Sequence, residues 1–374
     1  MKKSDAPLLM ITAGGTGGHI YPAQALIEEL LNRNWRVRVL TDVRGIEYFR
    51  QLEGQVELSI ISSASLNGSN IIKKITALLK LTVGTCVSGF FMLKERPKMI
   101  VGFGGYPAFP GMLAATLLKI PILIHEQNGV LGKVNQFFAR RASVLACGVW
   151  PTKLPNNVNG VDCGIPVRDD VLALKNSPYI PPGDYPLSIL VLGGSQASKI
   201  LSEVVPSALA LLPVRILKHL RVAHQARDED QKTVEEFYQK SGINADVKPF
   251  FIDISRRINE AQLIISRAGA STIAEISIIG RPSILVPLKV AVRDEQTKNA
   301  SSLVQAKAAI IISEDELTSL KLKERIYELI RKPTKASKMA QAAYANSKPD
   351  ASKKLLELVE SLSTNTKEES FSAK

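Results

Sequence analysis

Ser266-Arg267-Ala268-Gly269-Ala270-Ser271-Thr272-Ile273-Ala274-Glu275 follows the apolar run Leu263 to Ile265 and leads into an apolar-periodic stretch that ends at Gly280, with Pro282 beyond it. The pattern reads as a short buried strand, a glycine break and a helix start. A helix start leaves the amides of Ala270, Ser271 and Thr272 without intrahelical acceptors at the positive end of the dipole, which favours an anion such as a diphosphate. Glu275 lies about one and a half turns further in. Its carboxylate can lie beside a ligand seated on those amides and accept hydrogen bonds from two neighbouring hydroxyls, as a ribose offers. The alternative is a plain strand-to-helix turn with a solvated carboxylate, because short glycine motifs recur by chance.

Outward from this stretch, strand and helix alternate along the chain. Leu8 to Thr12 reads as a strand, Pro22 to Asn32 as a helix and Arg36 to Leu40 as a strand. Met99 to Gly102, Ile122 to Ile124, Val144 to Cys147, Ser188 to Leu192, Leu263 to Ser266 and Ser283 to Val286 are further short apolar runs. Continuous apolar strands separated by helices predict parallel sheets covered on both faces. A boundary is expected near Gly164 to Arg168, and each half opens with a strand entering a glycine turn: Thr12 to His19 in the first, Leu192 to Gln196 in the second. A third such turn, Gly102 to Pro107, follows the strand at Met99. Two doubly wound domains facing one another would bring these turns to one cleft.

Composition bounds the function classes. The 374 residues, 45% hydrophobic, suffice for two ordinary domains with their own cores. Three cysteines (Cys86, Cys147, Cys163) and four histidines without HxxH or CxxC spacing suggest neither a disulfide framework nor a metal site, and a reducing cytoplasm is the expected compartment. The formal net charge of +13 implies a polyanionic partner, nucleic acid or an anionic membrane surface. With 6% aromatics and no RNP, KH or zinc-finger pattern, no nucleic-acid partner is expected. Basic character is denser in the first half. There Ile71 to Lys98 is strongly apolar, with Lys73, Lys74, Lys80 and Lys94 around its apolar core, Leu81 to Leu93. That core is too short to cross a bilayer. It reads either as a helix lying in the membrane interface or as a buried core helix with solvated lysine ends.

Two nucleotide-binding readings fail on spacing. Asp42 ends the second strand, where a dinucleotide enzyme would hold a ribose, but the G-x-G-x-x-G pattern breaks at Ile20, and no Walker lysine follows any glycine loop.

GGTGGHIYPA (Gly14 to Ala23), GFGGYPAFPG (Gly102 to Gly111), HEQNGVLGKVNQ (His125 to Gln136), GIPVR (Gly164 to Arg168), GGSQ (Gly193 to Gln196), SRAGASTIAE (Ser266 to Glu275) and DEQTKNA (Asp294 to Ala300) occur in order. On these seven motifs the chain resembles the MurG family from about Met10 to Val359. The resemblance implies a GT-B glycosyltransferase, α/β, with two Rossmann-like doubly wound domains and a cleft between them. It implies residues 1–166 as an acceptor-binding, membrane-associated domain with a helix over 346–363 packing back on it, 167–345 as the donor domain, and 364–374 as a disordered tail. The implied reaction is inverting transfer of N-acetylglucosamine from its UDP donor to the undecaprenyl-diphosphate-linked muramoyl-pentapeptide, lipid I, giving lipid II in peptidoglycan synthesis on the cytoplasmic face of the bacterial inner membrane. No cofactor is implied.

Residue by residue, the resemblance assigns the amides of Ala270, Ser271 and Thr272 with Ser195 to the donor diphosphate and Glu275 to its ribose, with Ile273 and Ala274 also counted as donor-binding. Ile252, through its backbone, and Arg168 take the uridine end, and Gln296 and Asn128 the sugar. Gly14, Gly15, Gly104, Gly105 and Tyr106 are assigned to the acceptor. The loop of Thr16, Gly17 and Gly18 would take the acceptor together with Tyr106, and these three residues are also counted with the donor contacts. An inverting transfer needs a base for the attacking hydroxyl and stabilisation of charge on the leaving diphosphate. His19 is the candidate base, against a capping or anion-binding role, and Glu126 competes with it. Ile165 stands where the family usually has asparagine, and Ala226 follows His224-Gln225 where the family has glycine. A nucleotide-sugar epimerase of the same fold would keep the donor motif but would need no membrane-facing helix.

Overall fold

Leu8, Leu9, Met10 and Ile11 are all buried, as a strand covered on both faces requires, and this run sits in the middle of a sheet. The computed structural model describes residues 6–65, 71–183, 185–194, 197–289 and 294–372, with only the helical backbone over 365–372. In the first half, β1 (Leu8–Thr12), α1 (Gly17–Asn32), β2 (Arg36–Thr41), α2 (Val43–Phe49), β3 (Glu57–Ile60) and α3 (Ile71–Glu95) lead to β4 (Met99–Gly102), α4 (Ala108–Leu117), β5 (Ile122–Glu126), α5 (Lys133–Phe138), β6 (Val144–Cys147) and β7 (Gly160–Asp162). The second half begins with α6 (Asp169–Leu172), β8 (Leu187–Leu192), α7 (Lys199–Ala210), α8 (Val214–Leu217), β9 (Leu220–Gln225), α9 (Asp228–Lys240) and β10 (Asn244–Lys248). It continues through α10 (Ile254–Glu260), β11 (Leu263–Ser266), α11 (Ala270–Ile279), β12 (Ser283–Leu285), α12 (Glu295–Gln305), β13 (Ala309–Ile311), α13 (Ser319–Arg331), α14 (Pro333–Ala345) and α15 (Ala351–Ser372).

The strands form two parallel sheets, β3-β2-β1-β4-β5-β6-β7 and β10-β9-β8-β11-β12-β13. Two compact units result, Met1–Arg168 with Asp350–Lys374, and Asp169–Pro349. Each is a Rossmann-like doubly wound domain. In the first unit, one face of the sheet packs with α1 and with Leu355, Leu356 and Val359 of α15, and the other packs with α4 and Met92 of α3. In the second unit the largest core joins β8, β9 and β11 to α7, α9 and α13.

Several boundaries differ from the sequence reading. Helix α1 starts at Gly17, and Pro22 lies inside it, so His19 belongs to the first helical turn. The last helix begins after Pro349 because α14 ends at Ala345 with Asn346 as its C-cap. It then runs on to Ser372 through the segment read as a disordered tail. Its residues 365–372 hold no glycine or proline, and Lys and Glu there favour helix.

Helix α3 is 25 residues long, more than its apolar core suggested, and is long and apolar enough by length and composition to cross a membrane. Its inner stripe, Ala77, Leu81, Gly84, Ser88 and Met92, is buried at helical spacing. Gly84 permits the close seat, since a Cβ there would stand 2.1 Å from the Ser62 carbonyl oxygen and 3.1 Å from Pro110. The opposite face exposes Ile71, Ile72, Ile75, Leu78, Leu79, Val83, Phe90 and Leu93 to more than half their surface. Lys73, Lys74, Lys80 and Lys94 are exposed with them.

Candidate active site

In the second unit, β11 hands the chain to α11 through Arg267, Ala268 and Gly269. Gly269 is the N-cap in extended conformation, with no side chain capping the helix and no acid in its first turn. The Ser271 hydroxyl is buried without a hydrogen-bond partner. Orphan amides, an uncompensated dipole and an unpartnered hydroxyl therefore coincide at one helix start. Glu275 is 9% exposed on the same helix. Ala274 is half-buried, and Ile273 packs into a small core with Ala268, Leu285 and Leu303, which leaves its backbone as the part open to a ligand.

The turn itself is braced from β12 and α12. Arg267 donates to the carbonyls of Val286 (3.1 Å) and Pro287 (3.3 Å) and pairs with Glu314, whose other oxygen accepts from the Lys289 amide at 2.9 Å. Gln296 Oε1 accepts from the amides of Ala268 (3.1 Å) and Leu288 (2.9 Å), so that oxygen is committed to the turn. Ile252 is 87% exposed, while Phe251 beside it is buried under the Arg257 guanidinium, 4.1 Å from the ring centroid. Ser195 and Gln196 lie outside the described residues. His224 is buried in the second unit, its Nδ1 2.8 Å from the Tyr238 hydroxyl. Ala226, where the family has glycine, has no positive φ, so alanine is tolerated there.

In the first unit, the turns after β1 and β4 abut. A Cβ on Gly14 would lie 2.8 Å from Pro107 and 2.9 Å from Asp42 Oδ1, and one on Gly105 would lie 3.2 Å from the Gly14 carbonyl and 3.5 Å from the His19 ring. Gly14 and Gly105 are held to glycine by this crowding, while Gly15 and Gly104 take positive φ values of 87° and a Cβ on Gly104 would meet Asn135 at 2.9 Å. Asp42 is the N-cap of α2, accepting from the Gly45 amide at 2.9 Å, which accounts for the acid at the end of the second strand. The Tyr106 hydroxyl donates to Asp42 Oδ2 at 3.1 Å, and the Arg44 guanidinium donates to that hydroxyl.

Thr16 is the N-cap of α1, ahead of Gly17 and Gly18, and its hydroxyl lies 3.3 Å from His19 Nδ1 in place of a cap bond. Burial lowers the His19 pKa to about 4, against a hydrogen bond to Gly14 that raises it, so the imidazole is neutral at pH 7. Glu126 is differently placed. Its Oε1 accepts from the amide (3.0 Å) and side chain (3.1 Å) of Asn128, and its Oε2 from the Gly132 amide (2.8 Å) and Asn135 Nδ2 (2.9 Å). Burial holds its carboxyl pKa above the ordinary value, and these four donors offset only part of that rise. Both its oxygens, and Asn128 with them, are engaged in shaping the loop after β5. His125 is buried beside it, with Nε2 2.9 Å from the Gly164 carbonyl and its pKa lowered to about 4 by burial. Arg168, the last residue of the first unit, stacks 4.8 Å from the Tyr21 ring of α1. Among the described residues, no cluster of metal-ligating side chains occurs.

Sequence reasoning did not single out Arg44, Asn135 or Gln225 for the site, and it left Arg267 without a role. Arg267 and Asn135 lay inside recognised motifs. Arg44 and Gln225 act through contacts between segments distant in sequence, which carry no local signal.

A model of the glycosyltransferase family 28 N-terminal domain matches residues 9–146, and one of the C-terminal domain matches 188–355. A protein of Agrobacterium fabrum named UDP-N-acetylglucosamine--N-acetylmuramyl-(pentapeptide) pyrophosphoryl-undecaprenol N-acetylglucosamine transferase is 40% identical over 375 residues, 98% of this chain and 97% of the relative. One of the same name from Rhodospirillum centenum is 42% identical over 362 residues, 95% and 94% of the two chains. Among solved structures, Acinetobacter baumannii MurG matches with a TM-score of 0.75 and 31% identity, covering 95% of this chain and 99% of its own. A UDP-N-acetylglucosamine 2-epimerase structure matches at a TM-score of 0.68 and 13% identity over 95% of each chain, a likeness of fold alone.

Proposed function

This chain belongs to the MurG family of glycosyltransferase family 28, and we propose that it transfers N-acetylglucosamine from UDP-N-acetylglucosamine to the muramoyl 4-hydroxyl of lipid I, giving β-1,4-linked lipid II and UDP. The observation that carries the donor half of this reading is the uncapped start of α11, with the unpartnered Ser271 hydroxyl and Glu275 on one helix. The amides of Ala270, Ser271 and Thr272 bind the diphosphate and stabilise the charge that grows on it as the glycosidic bond breaks. Glu275 accepts from the ribose hydroxyls, and Ile252 and Arg168 meet the uridine end. Gln296 reaches the sugar through Nε2, its oxygen being committed to the turn. Asn128 joins it there, and Ser195 keeps its diphosphate assignment from the resemblance alone.

The first unit takes the acceptor on the turns at Gly14, Gly15, Gly104, Gly105 and Tyr106. His19 is the base: neutral at pH 7, it removes the proton of the attacking hydroxyl as that oxygen displaces UDP with inversion. The Thr16 hydroxyl orients the imidazole. Glu126, spent on four donors, organises the loop that carries Asn128 and does not act as the base. Helix α3 sits with its inner stripe on the first unit and its exposed apolar face in the interface of the cytoplasmic leaflet, where the acceptor's lipid is held. Incubation with UDP-N-acetylglucosamine and a soluble lipid I analogue yields a disaccharide product and one UDP per turnover. Hydrolysis or epimerisation of the donor without transfer would overturn the reading.

A further inference from the structure

Gln225 closes β9, the strand between β8 and β10, and since all three run parallel their C-terminal ends lie along one edge. The ladder ends beside it, where the Ala226 amide donates to the Lys248 carbonyl at 3.1 Å. The buried carboxamide then reaches to both sides. Oε1 accepts from the Gly193 amide at 3.2 Å, while Nε2 donates to the Gly194 carbonyl at 3.0 Å and to the Pro249 carbonyl at 3.2 Å. Both N–H groups and the oxygen are thus used across two segments that have no sequence relation. The turn after β8 is tight enough that a Cβ on Gly193 would stand 2.3 Å from the Ser198 amide nitrogen, and Pro249 opens the loop that buries Phe251 and presents Ile252.

We propose that Gln225 is a positioning residue that ties the diphosphate-side turn at Gly193 and Gly194 to the base-side loop at Pro249 to Ile252, so that UDP meets two loops already held at a fixed spacing. This deepens the donor reading above and rests on it. A ligand that touches one loop gains nothing from the tether, because each loop can settle by itself. A ligand that spans both gains, because the spacing need not be ordered on binding.

The test is calorimetric binding of UDP and of uridine to the wild type, Gln225→Met and Gln225→Asn. Methionine keeps the volume and removes every hydrogen bond, whereas asparagine keeps the amide on a stem too short to span both loops. Each variant is expected to bind UDP about tenfold more weakly, the scale of one net hydrogen bond, and uridine within about twofold of the wild type. In turnover, the KM for UDP-N-acetylglucosamine rises and kcat at saturating donor holds. Should methionine prevent folding, asparagine alone decides. Unchanged UDP affinity, or equal losses for UDP and uridine, would overturn the tether. A wild type that binds no UDP would overturn the donor reading itself, and the tether with it.

Discussion

Helices α1 and α11 begin in the same way and are equipped for different work. Each follows a parallel strand and a glycine-bearing turn, each has an N-cap in extended conformation without a side-chain cap bond, and neither carries an acid in its first turn. The first turn of α11 offers hydroxyls, with a carboxylate behind them. That of α1 offers an imidazole whose pKa burial holds near 4. Under the proposed function, one backbone device would serve as an anion seat in the second unit and as a base support in the first, the side chains at the second to sixth helical positions deciding which.

Breaking the first-unit half should have the largest effect. His19→Ala is expected to lower kcat roughly a hundred- to ten-thousandfold, the range of general-base loss, with the KM for UDP-N-acetylglucosamine little changed. Steady-state kinetics against varied donor check this, and a parallel rise in donor KM would make His19 a phosphate contact instead.

Acid acts on both units next. The pKa values of His125 and His19 in the first unit fall from 6.5 to about 4, and that of His224 in the second to about 3, burial being the first cause in each. A histidine depressed in the folded state binds its proton first in the unfolded chain, so stability is full above about pH 6.5 and is lost as pH falls towards 4. For the fully buried His125 the loss is about 3 kcal/mol. Calorimetric melting from pH 7.5 to 4.5 should show it, and His125→Gln should flatten the slope.

In the second unit, Glu275→Ala removes charge-assisted hydrogen bonds of about 1.5 to 3 kcal/mol, so donor KM rises roughly ten- to a hundredfold while the chain stays folded. Unchanged donor kinetics would reduce Glu275 to a helix charge. The smallest effect per residue lies on α3, where each lysine near an anionic surface contributes about 1 kcal/mol. Lys73, Lys74 and Lys80 changed together to glutamate should abolish sedimentation with anionic vesicles while a soluble acceptor is still processed. Vesicle binding that survives this and ignores salt would place the contact elsewhere.

What the sequence disclosed follows from what is local. β1, β4 and β11, and β8 from Ile189 on, are almost wholly apolar runs because they are covered on both faces, and the glycine turns after them are written in consecutive residues. The strands β9 (LRVAHQ) and β10 (NADVK) escaped because they lie toward the sheet edge and keep polar residues among apolar ones. Pro22 read as a helix start because proline suits that position, yet α1 accommodates it five residues in. The role of Glu126 was hidden in its partners: only the fold brings Asn128, Gly132 and Asn135 onto one carboxylate. The two-sided nature of α3, a seated stripe and an exposed apolar face, likewise emerges only once α4 is packed against it.

The division of labour between the two helix starts is tested most directly by titrating UDP into the wild type, His19→Ala and Glu275→Ala under one set of conditions. The account predicts that His19→Ala binds UDP as the wild type does, within about twofold, and that Glu275→Ala binds it at least about tenfold more weakly. Weakened binding in His19→Ala together with intact binding in Glu275→Ala would contradict it.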